Sequence, residues 1–182
     1  MFTTILSEMK YFWIQISAPM KNFSIEIKWT LRFILLVLAW AIGEKFAGLH
    51  DQYIDRYALY TNLFALPAFL FYYLALSEKK KYFFNNQITW RQGFVSGIIL
   101  SFFIAILMPV AQLVIYKSIT PHFFETIIEY KTKSPNLKFH ISEKDAESYF
   151  NLKSYIIQSI FNTLSMGSIA GALVSLMIKN KK

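Results

Sequence analysis

Three long stretches of this chain contain no acidic or basic side chain, and this feature limits its possible folds more than any other. They cover residues 57–77, 92–116 and 154–178 and are 21, 25 and 25 residues long. A helix rises about 1.5 Å per residue, so each stretch can cross the roughly 30 Å hydrocarbon core of a bilayer. Only 16% of the residues are charged, against about 25% in an ordinary soluble domain. The sequence therefore predicts an all-α integral membrane protein with spans over about 57–77, 93–116 and 154–178.

A shorter apolar run predicts a further span over about residues 29–48. Its uninterrupted part, from Phe33 to Gly43, has eleven residues and is bounded by Arg32 and Glu44. These two charges would be about 18 Å apart along a helix, so each would lie only about 6 Å below a membrane surface. Side chains at that depth can extend their charged ends to the surface. The sequence thus predicts an integral membrane four-helix bundle.

The distribution of Lys and Arg predicts which side of the membrane each loop occupies. The connection between the second and third spans contains Lys79, Lys80, Lys81 and Arg91, whereas the connection between the first and second spans contains only Arg56. Short loops rich in Lys and Arg are retained in the cytoplasm. With four spans, this asymmetry predicts that both termini are cytoplasmic. It also accounts for the net charge of +8, so no nucleic-acid partner is expected.

The sequence predicts an amphipathic segment in the membrane interface over residues 1–28, which precede the membrane domain 29–182. Apolar side chains recur there at helical spacing: Phe2, Ile5, Leu6, Met9, Phe12, Trp13 and Ile16. This spacing is typical of a helix that lies on the membrane surface. Packing of the same helix against the bundle is the alternative.

The connection before the last span, about residues 117–153, predicts a helical hairpin outside the cytoplasm that extends spans three and four. Thr120-Pro121 is a favourable helix start, because proline fits the first turn. From Glu143 onward no glycine or proline occurs before Gly167. The sequence therefore predicts one unbroken helix from Glu143 through the last span, roughly 54 Å long.

Two G-x-x-x-G motifs predict close packing of helices. They are formed by Gly93 and Gly97 and by Gly167 and Gly171, and a third stripe of small residues contains Gly43. Small residues let helix backbones approach closely where lipid gives no hydrophobic drive for association. The stripes could join spans of one chain or of two chains, and packing within one chain is favoured.

Several ionisable side chains are expected together at the outer ends of the spans. They are Glu44, His50, Asp51, Asp55, His122 and Glu125. Histidine and carboxylate groups can bind zinc, which makes His50, Asp51, His122 and Glu125 candidate metal ligands. The chain has no H-E-x-x-H motif or comparable spacing, nor any nucleotide or nucleophile motif. The sequence therefore favours a solvated rim, with no catalytic residue, metal or cofactor.

Polar residues also occur inside the predicted spans. They are Asn62, Gln112 and Asn162, and Pro67 and Pro109 lie on the same helices. Kinked helices with polar groups are typical of transporters. Hydrogen bonds between helices explain the same residues, and no acid or base lies near the middle of a span. Transport is therefore the less favoured interpretation.

Three segments carry a resemblance to a known family. They are ITWRQGFVSG (residues 88–97), ITPHFFETIIEY (119–130) and GSIAGALVSLMIKNKK (167–182). Their order resembles a family of small bacterial membrane proteins found mainly in Bacteroidota, labelled domain of unknown function forty-one ninety-nine. The resemblance covers about residues 28–182. It implies a four-helix protein of the bacterial inner membrane, and it brings no activity and no catalytic residues.

These observations predict a non-enzymatic accessory or scaffold subunit embedded in the lipid bilayer. Its outer hairpin would contact a membrane-protein partner or a second copy of the chain. Two alternatives stay open from the sequence. One is a small transporter or channel-like protein, and the other is a metal-dependent membrane enzyme at the outer face.

Overall fold

A computed structural model describes residues 23–135, 137 and 139–180, and the described part of the chain is helical with no β-strand. Its helices are α1 (Ser24–Phe46), α2 (Tyr57–Tyr82), α3 (Trp90–Ile119), α4 (Phe123–Lys133), α5 (Glu143–Tyr149) and α6 (Leu152–Ile178). The amphipathic stretch predicted before residue 23 lies outside the described residues. An all-α fold is confirmed for the described part of the chain.

Three of these helices are long and apolar enough to cross a membrane. They are α2, α3 and α6. Each contains one of the charge-free stretches and extends it by a few residues. Helix α1 does not meet the same criterion, because Glu26, Lys28, Arg32, Glu44 and Lys45 interrupt its apolar surface. The structure therefore shows a helical membrane protein with three candidate spans.

Helices α3 and α6 form the most extensive helix pair and lie in contact along their length. A Cβ atom added to Gly97 would lie 2.7 Å from the Cα of Gly171, and one added to Gly171 would lie 3.1 Å from the Cα of Gly97. No side chain fits between the two backbones at this crossing. The serines next to it, Ser101 and Ser175, donate hydrogen bonds of 2.8 Å and 2.6 Å to the carbonyls of Gly97 and Gly171. Small residues and internally bonded hydroxyls thus permit the close approach.

The flanking glycines extend this contact. An added Cβ at Gly93 would lie 2.6 Å from the Oγ of Ser175. One at Gly167 would overlap the hydroxyl groups of Ser101 and Tyr72, which are 2.8 Å apart and hydrogen-bonded. Gly43 differs from these glycines, because it is exposed and no described residue lies within 4 Å of an added Cβ. The described part of the chain therefore provides no close packing at Gly43.

Helices α1 and α2 pack on the α3–α6 pair around an apolar core. Its buried members include Phe33, Leu76, Leu100, Ile104 and Val174. Most of the remaining surface of α2 and α6 is apolar and exposed, as lipid-facing helices require.

The prediction of one unbroken helix from Glu143 through the last span is wrong. Helix α5 ends at Tyr149, and α6 begins at Leu152. The side chain of Asn151 bonds to both helices: its Nδ2 donates to the carbonyl of Glu147 at 2.9 Å, and its Oδ1 accepts from the amide of Ser154 at 2.9 Å. One asparagine thus satisfies backbone groups on both sides of the break, and neither glycine nor proline is needed.

Proline positions also modify the predicted helices. Pro67 cannot donate a backbone hydrogen bond to the preceding turn, and that turn, Asn62–Phe64, is a 3₁₀ segment within α2. Pro121 does not start α4, which begins two residues later at Phe123. The preceding π-helical turn, Ile115–Ile119, ends where the amide of Thr120 donates to the carbonyl of Ile115 at 2.7 Å.

Candidate functional site

The chain reverses sharply after α1 because Gly48 adopts a left-handed conformation, with φ of +72°. The amide of Leu49 donates to the carbonyl of Glu44 at 3.0 Å, and the amide of Gly48 donates to the carbonyl of Lys45 at 2.9 Å. This pair of bonds is the Schellman arrangement that ends many helices, and glycine adopts the required conformation without strain. The reversal returns Leu49 and His50 to the end of α1.

This reversal brings His50 against Glu44, and both side chains are buried. Glu44 is 7% exposed and His50 is 3% exposed. The Nε2 atom of His50 lies 3.3 Å from one carboxylate oxygen of Glu44, and the Nε1 of Trp40 donates to the other at 2.8 Å. The Nδ1 atom of His50 is buried and has no hydrogen-bond partner among the described residues. The pair is thus a buried acid and base with one unused nitrogen.

Aromatic rings from four helices enclose the pair, and we call the whole group the His50 cluster. It consists of Glu44, His50, Tyr57, Tyr116, Phe123 and Tyr155. The centre of the imidazole ring lies 5.4 Å from the centre of the Tyr57 ring and 5.3 Å from the centre of the Phe123 ring, and both contacts are edge to face. Tyr116 and Tyr155 pack behind Phe123 at 5.2 Å and 5.9 Å. The cluster therefore joins the end of α1 to α2, α3, α4 and α6.

A second buried polar group lies at the opposite end of α1. Lys79 of α2 is 5% exposed, and its ammonium lies 2.9 Å from the carboxylate of Glu26, which is 4% exposed. The ring of Phe83 covers the same ammonium at 3.9 Å. Beside this pair, Glu78 accepts hydrogen bonds from Lys28 and from the indole of Trp29. We call this group the Lys79 cluster, and it joins the start of α1 to the end of α2.

The ends of α3 and α6 meet near the Lys79 cluster. The side chain of Asn180 accepts from the amide of Ile88 at 2.8 Å, and the amide of Asn180 donates to the carbonyl of Ile88 at 3.0 Å. The ammonium of Lys80 donates to the carbonyl of Ile178 at 2.7 Å. Because α6 ends at Ile178, this carbonyl has no amide partner within the helix. Lys80 and Asn180 thus connect the C-terminal end of α6 to the end of α2 and to the residues before α3.

The structure does not bring the four candidate metal ligands into one site. His122, just before α4, and Glu125 in its first turn form a pair at 3.0 Å, but both side chains are exposed. Asp51 is exposed, and His50 is buried against Glu44 instead. Among the described residues, no group of three or more His, Cys, Asp or Glu side chains could hold a metal ion. A metal centre from these residues therefore has no geometric support.

The polar residues within the spans do not line a common path. Asn62 and Asn162 are exposed on the outside of their helices, and Asn62 donates to the carbonyl of Ala58 in its own turn. Gln112 is partly buried, and within the described part of the chain its side-chain oxygen has no hydrogen-bond partner. The three residues thus face different surroundings.

Sequence reasoning missed both buried pairs. Glu44 and His50 were expected on a solvated rim, and their burial follows from the reversal at Gly48. The sequence contains one indication of this reversal, which is Gly48 just after the last turn of an apolar helix. Glycine is common at that position because it readily adopts a left-handed conformation. The pairing of Glu26 with Lys79 joins residues 53 positions apart and left no local pattern.

Comparison with known families gives one match. A family described as "Protein of unknown function (DUF4199)" matches residues 28–180. The match covers most of the chain, and the chain belongs to this family. No match was found among curated proteins or among solved structures.

Proposed function

We propose that this member of the DUF4199 family is a four-span inner-membrane protein that acts as a non-enzymatic accessory or scaffold subunit. In this proposal α1 is the fourth span, and both termini are cytoplasmic. The segment from α4 to α5, residues 123–149, lies outside and contacts a partner. The observation that carries the proposal is that the buried charged groups of the described residues have partners inside the chain: Glu26 pairs with Lys79 of α2, and Glu44 contacts His50 of the turn after α1.

The charges of α1 support its assignment as a span. Helix α1 extends from the Lys79 cluster to the His50 cluster, and its 23 residues correspond to about 34 Å. Each ionisable side chain along it has a partner inside the protein. Glu26 and Lys28 pair with α2, Arg32 lies over the ring of Trp29, Glu44 contacts His50, and Lys45 donates to the carbonyl of Ile119. Paired charges near the ends of a span cost far less than unpaired charges in lipid.

The packing of the interior supports a structural role. The Gly97–Gly171 crossing brings the backbones of α3 and α6 into direct contact. The Glu26–Lys79 pair borders only a small cavity, lined by residues of α1, α2 and α3 such as Leu76 and Ser96. A substrate site would instead need a sizeable pocket with convergent polar groups. A protein packed in this way is suited to hold another protein.

Site-specific photo-crosslinking in cells tests the partner. A photo-reactive amino acid replaces Phe139, an 88% exposed ring in the α4–α5 connection, and in a matched control it replaces Leu70, which is 56% exposed on α2. If residues 123–149 hold a partner, position 139 gives a discrete crosslinked protein in near-stoichiometric yield and position 70 gives none. Mass spectrometry of the product separates a different protein from a second copy of this chain. Uncrosslinked monomer at both positions contradicts the proposal.

A further inference from the structure

The end of the helical unit where α2 and α6 finish and α3 begins is strongly basic. Helices α2, α3 and α6 are the three candidate spans, so their ends lie at a membrane surface whichever way the chain is oriented. Besides the buried Lys79, these helix ends provide four cationic side chains, which we call the basic end: Lys80, Lys81, Arg91 and Lys179.

The acids nearby do not neutralise the basic end. Within the described part of the chain, the acids close to it are Glu26 and Glu78. Each is already paired, Glu26 with Lys79 and Glu78 with Lys28. Residues 79–124 and 148–182 contain no Asp or Glu at all. The four cations therefore add an excess of positive charge to pairs that are already balanced.

These cations remain available to an anion from outside the chain. Lys81, Arg91 and Lys179 are exposed, and none forms an ion pair with a described residue. The ammonium of Lys80 uses one of its three donors on the carbonyl of Ile178. The basic end thus presents several unused donors and several charges at one membrane surface.

Each exposed cation also lies at the end of an exposed apolar stripe. The stripe that leads to Lys81 on α2 consists of Leu66, Leu70 and Leu74, the stripe that starts from Arg91 on α3 consists of Val95, Ile98 and Phe102, and the stripe that leads to Lys179 on α6 consists of Ile169, Leu173 and Leu176. Spacings of three, four and seven residues place the members of each stripe on one helical face. Charge at the membrane surface is thus combined with apolar surface directly below it.

We propose that the basic end binds anionic phospholipids, with its cations at the headgroup phosphate and the apolar stripes beside the acyl chains. Clusters of Lys and Arg at the ends of membrane spans attract anionic headgroups, and their long side chains extend from a helix end to the headgroup level. A soluble anion would use the cations alone, whereas a phospholipid also covers the stripes. The combination therefore favours a lipid over free phosphate, a nucleic acid or an acidic protein.

The opposite end of the helical unit has mixed charge. Its exposed Lys133 and Lys144 lie close in sequence to Glu129, Glu143 and Asp145. Positive and negative groups offset one another there, so selectivity for anionic headgroups is expected at the basic end. This proposal requires neither a protein partner nor a particular orientation of the chain.

Native mass spectrometry of the full-length protein in detergent measures lipid binding directly. The probes are phosphatidylglycerol and phosphatidylcholine with identical acyl chains, which differ in net charge. Each Lys or Arg near an anionic surface contributes about 1 kcal/mol, or roughly fivefold in affinity. We expect phosphatidylglycerol to bind at least about tenfold more tightly. Most of this preference should disappear between about 0.1 M and about 1 M ammonium acetate, because salt screens exposed charges.

A variant without the exposed cations and a matched control locate the site. Lys81→Gln, Arg91→Gln and Lys179→Gln in one chain should lower the affinity for phosphatidylglycerol to that for phosphatidylcholine. The control combines Lys131→Gln, Lys133→Gln and Lys144→Gln, which remove the same charge from α4 and α5, and it should keep the preference.

Several outcomes overturn the proposal. They are equal affinity of the wild-type protein for the two lipids, a preference that survives in the first variant, and a preference that is lost in the control. Tighter binding of an oligonucleotide or an acidic peptide, or displacement of the lipid by glycerol phosphate, would assign the basic end to a soluble anion instead. If the first variant does not fold, the salt dependence of the wild-type preference decides the matter.

Discussion

At the scale of single residues, the buried ion pair of Glu26 and Lys79 is the group most sensitive to change. Each side chain is almost fully buried, and each is the charged partner of the other. Removal of one charge leaves the other in a medium of low dielectric constant without compensation. Removal of both charges together leaves no buried charge, and the hydrophobic surroundings can accept neutral side chains of similar size.

We therefore expect Lys79→Met to destabilise the protein by about 3–5 kcal/mol, because Glu26 is then buried alone. The double variant Glu26→Gln with Lys79→Met should recover most of that loss. The measurement is thermal unfolding in mild detergent, with Lys81→Met as the control, since Lys81 is exposed. A double variant as unstable as Lys79→Met would show that the pair contributes through packing rather than charge.

At the scale of helices, the sequence predicts the positions of the long apolar helices better than it predicts where a helix breaks. The charge-free stretches predict α2, α3 and α6 to within a few residues, because the need to satisfy backbone groups in lipid forces a long helix there. The break at Asn151 could not be predicted, since this side chain acts as a cap only when its neighbours already turn. Burial of His50 likewise depends on contacts with Tyr57 and Phe123, which lie on other helices.

The glycine stripes look alike in sequence, but their surroundings in the structure differ. Gly97 lies in backbone contact with α6, whereas Gly43 faces outward. Periodicity identifies a stripe of small residues, but it does not identify which neighbouring helix the stripe meets. That choice depends on how the other helices of the bundle pack.

A matched pair of alanine substitutions tests this difference. Gly97→Ala adds a methyl group 2.7 Å from the Cα of Gly171, so the helices must separate, and we expect a loss of about 1–3 kcal/mol. Gly43→Ala adds the same methyl group in open space and should be neutral or stabilising by up to about 1 kcal/mol, because alanine favours a helix over glycine. The measurement is thermal unfolding of both variants in detergent. A loss at Gly43 equal to that at Gly97 would show that the space beside Gly43, open among the described residues, is occupied in the protein.

At the scale of the whole molecule, the two clusters lie at opposite ends of α1. The Lys79 end contains Lys80, Lys81 and Arg91, whereas the connection after α1 contains Asp51 and Asp55 beside Arg56. Since loops rich in Lys and Arg are retained in the cytoplasm, we expect the Lys79 cluster inside and the His50 cluster outside.

Cysteine labelling in intact cells tests this orientation. The chain contains no cysteine, so Lys81→Cys and Lys144→Cys each provide a single thiol at an exposed position. We expect an impermeant thiol reagent to label position 144 in intact cells and to label position 81 only after permeabilisation. Translocation of the basic 79–91 connection is strongly disfavoured, which is the reason for this expectation. Labelling of position 81 and not 144 in intact cells would invert the orientation. The His50 cluster and residues 123–149 would then face the cytoplasm, and any partner would have to be sought there.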